Sequence, residues 1–270
     1  MYSVKRISLV VLLAISASIL YAQEGTSRKE QKQARKEEKR ERTNALIKQE
    51  EEGVLAYEKQ TSFGLQLRTN GYGAFLELGR MKSPRFTNLY SLELSEIFSA
   101  KEEKIPSNNQ SYFGGSYKFG KINNFYQAKL GFGQQYIFGQ KGNKNGVAVL
   151  GIYQAGLSIG LLKPYYLDID DNGFQRTIKY SAEDSTIFFN SRVLGSSGPG
   201  KGWSEVKIKP GAFIKTALRF DFGSYNESIT ALELGLSIDA YSQKIEIMHL
   251  SKPKQVFFQG HIAIVFGSRK

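Results

Sequence analysis

The chain has 270 residues, of which 41% are hydrophobic and 23% are charged, and its formal net charge is +12. It contains no cysteine, which excludes disulfides, thiolate metal sites, cysteine nucleophiles and a lipidated N-terminal cysteine. The two histidines, His249 and His261, leave little room for a metal cage.

The first 22 residues have the layout of an export signal. Lys5 and Arg6 form a basic start, residues 7–20 carry no charge, and Ala22 is a small residue at the expected cleavage point. This order is typical of a secretory signal peptide. A permanent membrane anchor is the alternative, but the apolar run is shorter than the roughly 20 residues that a spanning helix needs. Export also argues against nucleic acid as a partner, despite the positive charge.

Residues 23–59 form a charged segment that precedes the folded part. The segment is dense in Lys, Arg, Glu and Gln, which are strong helix formers, and Glu38 and Arg42 stand at a favourable i,i+4 spacing. Its few apolar residues form no sustained heptad, so a coiled coil is not expected. The segment is predicted to be a solvated helix or a disordered periplasmic spacer, with docking on a partner as its functional interpretation.

From residue 60 to the end, the apolar residues alternate with small, polar or ionic ones. A soluble sandwich and a membrane barrel both give such alternation, but several segments here are longer than the 5–6 residues of an average sandwich strand. Glycines recur on the polar face, and aromatic residues such as Tyr126 and Phe266 lie toward strand ends. We therefore predict an all-β fold, a transmembrane antiparallel β-barrel over residues 60–270. The predicted strands are 61–80, 86–98, 111–119, 123–138, 146–162, 204–222, 228–244 and 254–267.

Eight strands is the favoured count, with both termini on the periplasmic side and the long loop 163–203 outside the cell. Within 61–80 the apolar face changes parity, which a bulge at Asn70-Gly71 would explain. The alternative is a hairpin turn at Asn70-Gly71, which gives nine strands. A further strand near 174–180 or 186–193 would then make ten.

An eight-stranded barrel has an interior just wide enough to be filled by side chains. The alternation directs nine charged side chains inward, where mutual ion pairing is the expected role, and a porin-like solute channel is not expected. These residues are Arg68, Glu77, Glu93, Lys129, Lys215, Arg219, Asp221, Glu233 and Asp239.

The long loop contains a candidate calcium site. Asp168, Asp170 and Asn172, followed by Gly173, place hard oxygen ligands at alternate positions before a flexible residue, as Ca²⁺ requires. The twelfth position is Lys179 rather than Glu, so the helix-loop-helix form fails, although Glu183 or Asp184 could supply a late ligand. A polar turn is the alternative interpretation, and no other cofactor is indicated.

Two sets of residues could support a membrane-embedded hydrolase. His249 with loop aspartates could activate water against a peptide, and His261 with a nearby serine could deacylate a lipid. No spacing singles out either set, so we expect that the protein is not an enzyme.

From about residue 61 to 270 the chain resembles small OmpX/OmpA-like and PorT-like outer-membrane β-barrels, and the stretches that carry the likeness are 124–139, 141–147, 160–166 and 209–223. More closely, they are similar to an uncharacterised family of exported barrel proteins. The resemblance implies a location in the outer membrane, and no catalytic residue carries over from it.

Two functions follow as hypotheses. The first is an accessory subunit of a larger outer-membrane assembly for secretion or protein insertion, with a protein partner in the periplasm or outer membrane. The second is a free-standing structural or surface-binding barrel whose 163–203 loop binds calcium or lipopolysaccharide.

Overall fold

A computed structural model describes residues 31–41, 44, 57–106, 116–141, 146–181, 186, 192–223, 227–249 and 251–270. The chain divides into two compact units, residues 1–52 and residues 53–270. In the first unit, residues 31–41 are helical and exposed, as expected for a sequence of Lys, Arg, Glu and Gln without an apolar stripe. Within the described ranges, no helix combines the length and apolarity needed to cross a membrane. The predicted signal peptide lies outside the described residues.

The second unit is built from β-strands, and eight of them close into a barrel. The barrel order is β1-β13-β12-β11-β7-β6-β3-β2, and every neighbouring pair is antiparallel. The closure by β1 and β13 leaves no unpaired edge, which a sheet in lipid requires. The described strands are β1 (Lys59–Arg68), β2 (Gly71–Ser83), β3 (Phe86–Ile97), β4 (Lys104–Pro106), β5 (Ser116–Lys118), β6 (Asn123–Gly139), β7 (Ala148–Pro164), β8 (Tyr166–Asp171), β9 (Phe174–Lys179), β10 (Arg192–Ser196), β11 (Lys207–Asp221), β12 (Ser228–Ile245) and β13 (Lys254–Arg269).

The barrel wall has an apolar outer face and a polar inner face. In β1, Leu65 and Leu67 are 57% and 73% exposed, whereas Gln66 between them and Arg68 after them are buried. The same alternation runs through the other seven barrel strands, which have 12 to 18 residues. A strand tilted across the hydrocarbon core needs about 9–11 residues. The chain is therefore a transmembrane β-barrel, and the predicted fold class is confirmed.

The predicted strand 61–80 is two strands, and the bulge at Asn70-Gly71 is wrong. Arg68 pairs with Gly71, so Thr69 and Asn70 form a two-residue connection between β1 and β2. Residues that are paired across two strands lie on the same face of the sheet. Because the even-numbered Arg68 is paired with the odd-numbered Gly71, the outward-facing positions are odd-numbered in β1 and even-numbered in β2. The hairpin alternative was the correct explanation of the parity change.

The predicted strand 111–119 does not belong to the barrel wall. Its described part, Ser116–Lys118, pairs with Lys104–Pro106 in a separate two-stranded sheet. The count of eight is therefore right because two errors offset each other: one predicted strand is two, and another lies outside the wall. The wall continues directly from β3 to β6.

The long connection between β7 and β11 has its own structure. Strands β10, β8 and β9 form a three-stranded antiparallel sheet outside the barrel. Leu167 and Ile169 of β8 and Ile178 of β9 are buried and form its own apolar cluster, with Tyr165 and Tyr180 packed against them. The additional strand anticipated near 174–180 exists as β9, but it does not enter the wall, and residues 182–185 and 187–191 lie outside the described part of the chain. We call this sheet the loop sheet.

Both termini of the barrel lie at one end. The backbone N–H groups of Glu58 and Lys59 donate to the carbonyl of Lys270, and Arg269 donates its N–H to Glu227 between β11 and β12. We call this the terminal end. The connections after β1, β3, β7 and β12 lie at the opposite end, the loop end. The termini and the long connection thus lie at opposite ends, as predicted. The predicted strands place the connection after 86–98 at the terminal end, which is wrong because 61–80 crosses the wall twice.

Candidate functional site

The centre of the lumen is an ion-pair network around Glu233. Its carboxylate lies 2.9 Å from Lys215 Nζ, 2.5 Å from the Arg219 guanidinium and 3.1 Å from His261 Nε2. Arg219 also donates to Glu77 at 2.5 Å, which joins β11 to β2 across the barrel. These side chains come from strands that are not all neighbours, so the network ties opposite walls together.

A second network lies nearer the loop end. Arg68 Nη2 is 2.6 Å from Glu93 Oε1, and Lys129 Nζ is 2.6 Å from Asp239 Oδ1 and 3.4 Å from Glu93. Arg68 also donates to the Gln259 side chain at 2.5 Å. Each buried cation thus faces a carboxylate or an amide oxygen, as the low-dielectric interior demands.

A third network lies at the terminal end. Asp221 accepts a hydrogen bond from Arg269 at 2.5 Å, and Lys141 Nζ lies 3.8 Å away. The Arg269 guanidinium also stands over the Tyr57 ring, 5.2 Å from its centroid. The sequence prediction missed Arg269 and Lys141. Arg269 was detectable, since it continues the inward period of β13 beyond the predicted boundary, whereas Lys141 lies in a connection without periodicity.

All nine charged side chains predicted to point inward are buried, so the ion-paired plug is confirmed. Within the described part of the lumen, six cationic side chains face five carboxylates, which leaves the interior almost neutral. The cations are Arg68, Lys129, Lys141, Lys215, Arg219 and Arg269, and the carboxylates are Glu77, Glu93, Asp221, Glu233 and Asp239.

Apolar clusters close both ends of the plug. At the loop end, Phe125, Tyr241 and Phe257 pack as a group, with ring centroids 5.4 to 6.0 Å apart. At the terminal end, Tyr57 packs with Ile137 and neighbouring aliphatic residues of β7. In the described part of the lumen, ion pairs thus fill the centre and apolar side chains lie at both ends, which is the filled interior expected of eight strands.

One charged cluster lies outside the wall, at the loop end. Glu102 forms salt bridges with Lys118 and Lys121, the latter at 3.0 Å, and the Lys121 side chain is fully buried. Burial raises the pKa of Glu102, but the hydrogen bond from Lys118 and the charge of Lys121 outweigh it and hold the pKa below its usual value. Burial lowers the pKa of Lys121 to about 8, with Glu102 opposing the change. The cluster anchors the connection after β3 to the start of β6.

The candidate calcium residues form a β-hairpin in the loop sheet. Asn172 and Gly173, with φ of 54° and 88°, make the two-residue turn between β8 and β9, which is the geometry that Asn-Gly favours. Asp170 Oδ1 accepts the Gly173 N–H at 2.8 Å, and Asp168 Oδ1 accepts the hydroxyls of Thr177 and Ser197 at 2.6 Å each.

Among the described residues, no group of three or more His, Asp or Glu side chains is arranged to hold a metal ion. Glu183 and Asp184, the proposed late ligands, lie outside those residues. The twelfth-position residue, Lys179, instead forms a salt bridge with Glu205. Calcium at Asp168, Asp170 and Asn172 stays a prediction.

The two histidines occupy different environments. His261 lies inside the barrel with a fully buried side chain held by Glu233, so it faces neither lipid nor solvent. His249 lies at the loop end with its ring centroid 5.0 Å from that of Tyr180.

No protein-family model and no curated protein matches the sequence. Among solved structures, the N-terminal β-barrel domain of OprF from Pseudomonas aeruginosa is 11% identical over 78% of this chain and 99% of that chain, with a TM-score of 0.37. Ail from Yersinia pestis, solved with the heparin analogue sucrose octasulfate, is 11% identical over 80% of this chain and 100% of that chain, with a TM-score of 0.38. Neisserial surface protein A is 10% identical over 78% of this chain and 96% of that chain, with a TM-score of 0.37. The expected resemblance to small outer-membrane barrels is confirmed for the fold, which this chain's own strand pairing establishes.

Proposed function

We propose that this protein is a non-enzymatic β-barrel of the outer membrane that serves as an accessory subunit of a larger outer-membrane assembly. The observation that carries the proposal is the closed lumen: ion pairs fill its centre and apolar clusters close its ends. A barrel without a solute path acts through the surfaces that it presents. The export signal in the sequence and the absence of an unpaired strand edge in the wall support the outer membrane as its location.

The charged segment before the barrel is the surface we assign to the partner. Its described helix, residues 31–41, is exposed along its whole length and carries no apolar stripe. A helix of this kind does not bury itself on an apolar surface, so its partner would be recognised by charge. The proposed partner is a protein of the periplasm or of the outer membrane.

Affinity purification of the tagged chain from native outer membranes tests this role. We expect stoichiometric companions with wild type, and their loss when residues 23–59 are deleted behind an intact export signal. The charge-reversing variant Arg35→Glu, Lys36→Glu, Arg40→Glu should also lose them, while the conservative variant Arg35→Lys, Arg40→Lys should keep them. Unchanged companions after the deletion, with the barrel still inserted, would remove the segment from the proposal.

The loop sheet favours a second candidate function, a surface-binding barrel. A three-stranded sheet with its own buried core presents a defined surface, unlike an unstructured loop. Calcium at Asp168 and Asp170, or lipopolysaccharide, is the ligand proposed for it. Calorimetry with Ca²⁺ on wild type and on Asp168→Ala, Asp170→Ala tests the calcium form, which fails if wild type gives no binding heat. Binding of purified lipopolysaccharide to wild type and to a variant with the loop sheet removed tests the other.

A further inference from the structure

A cavity of about 700 Å³ lies at the loop end, where the connection after β3 meets the hairpin of β12 and β13. Its volume falls within the roughly 300–1,000 Å³ that small-molecule sites occupy. The Phe98 N–H donates to the Asn70 carbonyl at 2.7 Å, and the Ser99 and Ser251 hydroxyls lie 3.4 Å apart. These contacts hold the three connections that surround the cavity.

The lining of the cavity is apolar on one side and carries lysine side chains on the other. Phe98 and Phe257 belong to the apolar side of the lining, and Phe257 is also part of the apolar cluster at the loop end of the lumen. Lys101, Lys252 and Lys254 also line the cavity, and none of the described residues that line it is Asp or Glu. The occupant that suits such a lining is apolar over most of its length and negatively charged at one end.

One polar group in the lining has no partner. Among the described residues, no hydrogen bond reaches Asn70 Oδ1, although the atom is buried. A carboxamide can turn to present either its oxygen or its NH₂, so Asn70 can donate to an anionic oxygen that enters the cavity. A buried carboxamide group without a partner is destabilising, and a hydrogen bond to a bound headgroup would remove that cost.

The cavity adjoins the lipid-facing wall of the barrel. Val256 and Phe258, which line it, are 44% and 74% exposed on the outer face of β13. Lys252 and Lys254 come immediately before them in the chain, so the cations lie where the apolar wall begins. A lipid of the surrounding leaflet can thus place an acyl chain in the cavity while its headgroup remains beside the lysines.

We propose that this cavity is a specific site for a membrane lipid with a phosphate-bearing, anionic headgroup. The acyl chain packs on Phe98 and Phe257, and the phosphate is held by Lys252, Lys254 and the Asn70 amide. This inference stands apart from the proposed assembly role, since it involves neither residues 23–59 nor the loop sheet.

Spin-labelled lipids test the proposal with the full chain folded into phosphatidylcholine vesicles. Electron paramagnetic resonance measures the fraction of labelled phosphatidic acid that the protein immobilises, with labelled phosphatidylcholine as the neutral comparison. Wild type should prefer phosphatidic acid, and Lys252→Glu, Lys254→Glu should weaken that preference about tenfold or more, because two cations that attract the anionic headgroup are replaced by anions that repel it. The matched control Lys201→Glu, Lys207→Glu makes the same charge change at the same end of the barrel and should keep the preference.

A cavity-filling variant separates a true site from general attraction to a basic surface. Ala100 lines the cavity and is exposed, so Ala100→Trp should fill it without disturbing the wall, and Ala100→Ser serves as its control. The preference should be lost in Ala100→Trp although every lysine remains. A preference that survives Ala100→Trp, its displacement by inorganic phosphate alone, or the absence of any preference in wild type would each overturn the proposal. The last result would leave a partner protein as the occupant.

Discussion

Glu233 is the residue on which most of the central ion pairs converge, since Lys215, Arg219 and His261 all contact its carboxylate. Removing one partner from a buried network leaves the remaining charges uncompensated, which is far more costly than never having buried them. The stability of the plug is therefore concentrated at a few carboxylates rather than spread evenly over the wall.

Glu233→Gln should lower the free energy of unfolding by about 3 kcal/mol or more, because it removes the carboxylate that Lys215 contacts and one of the two that Arg219 contacts. Urea unfolding in phosphatidylcholine vesicles, followed by the fluorescence of Trp203, the one tryptophan of the chain, measures the change. Glu246→Gln makes the same substitution at an exposed position and should be neutral. Adding Lys215→Met to Glu233→Gln should recover part of the loss. Equal effects of Glu233→Gln and Glu246→Gln on the free energy of unfolding would contradict the role assigned to Glu233.

Glu102 likewise pairs with two lysines, Lys118 and Lys121, but outside the barrel wall. Its contribution to the stability of this part of the protein depends on pH. Its pKa in the folded protein lies below the ordinary value of 4.5, so its contribution to stability is fully present above that pH. The contribution is lost as the pH falls through the folded pKa. Glu102→Gln should therefore accelerate amide hydrogen exchange in residues 116–122 at neutral pH.

The difference between wild type and Glu102→Gln should shrink as the pH is lowered below 4.5, once exchange rates are corrected for the intrinsic effect of pH. Glu103→Gln, at the exposed neighbouring position, is the matched control and should leave the exchange unchanged. A constant difference across the pH range would show that the carboxylate charge does not anchor this connection.

At the scale of the strand, the glycines of the inner face make room for close backbone pairing and for large side chains. Gly131 and Gly156 are directly paired between β6 and β7, and a Cβ at Gly131 would lie 2.8 Å from the Phe213 ring. The recurrence of glycine on the polar face, which pointed to a crowded lumen, has this packing as its cause.

Strand β6 offers a matched pair of substitutions. A Cβ at Gly133 would overlap the Tyr153 carbonyl and lie 2.7 Å from Gln154 Cα, whereas a Cβ at Gly139 meets nothing within 4 Å. Gly133→Ala should therefore destabilise the pairing of β6 with β7 by roughly 1–3 kcal/mol, as overpacking does. Gly139→Ala should be neutral. Urea unfolding and the mobility of the unheated barrel in SDS gels measure both, and a neutral Gly133→Ala would contradict the crowding.

At the scale of the whole molecule, the ion-paired plug and the two apolar caps determine what the barrel can do. A lumen filled by side chains is the expectation for eight strands, and the structure adds the apolar clusters at its two ends, which no period in the sequence indicated. The wall is thus a platform that positions the loop end and the terminal end on opposite sides of a membrane.

Purified wild type inserted into planar lipid bilayers should therefore produce no steady ionic conductance. A large porin in the same bilayer is the positive control, and insertion of the test protein is verified by recovery of folded barrel from the membrane. Reproducible conductance steps from wild type would mean that the plug opens, and would make solute transport a candidate function.

The sequence determined what local alternation can determine. Successive residues on a strand face opposite sides, so the nine inward charges and the apolar outer face followed from their order in the chain alone. Only the tertiary structure decided which strands pair, that Asn70 belongs to a hairpin connection, that β4 and β5 leave the wall, and that β8 to β10 form a separate sheet. The physical reason is distance along the chain: Arg68 meets Gln259 across 191 positions, and β1 closes the barrel on β13. The partners of Asp221 and the cavity beside β13 arise from such contacts, which no window of neighbouring residues contains.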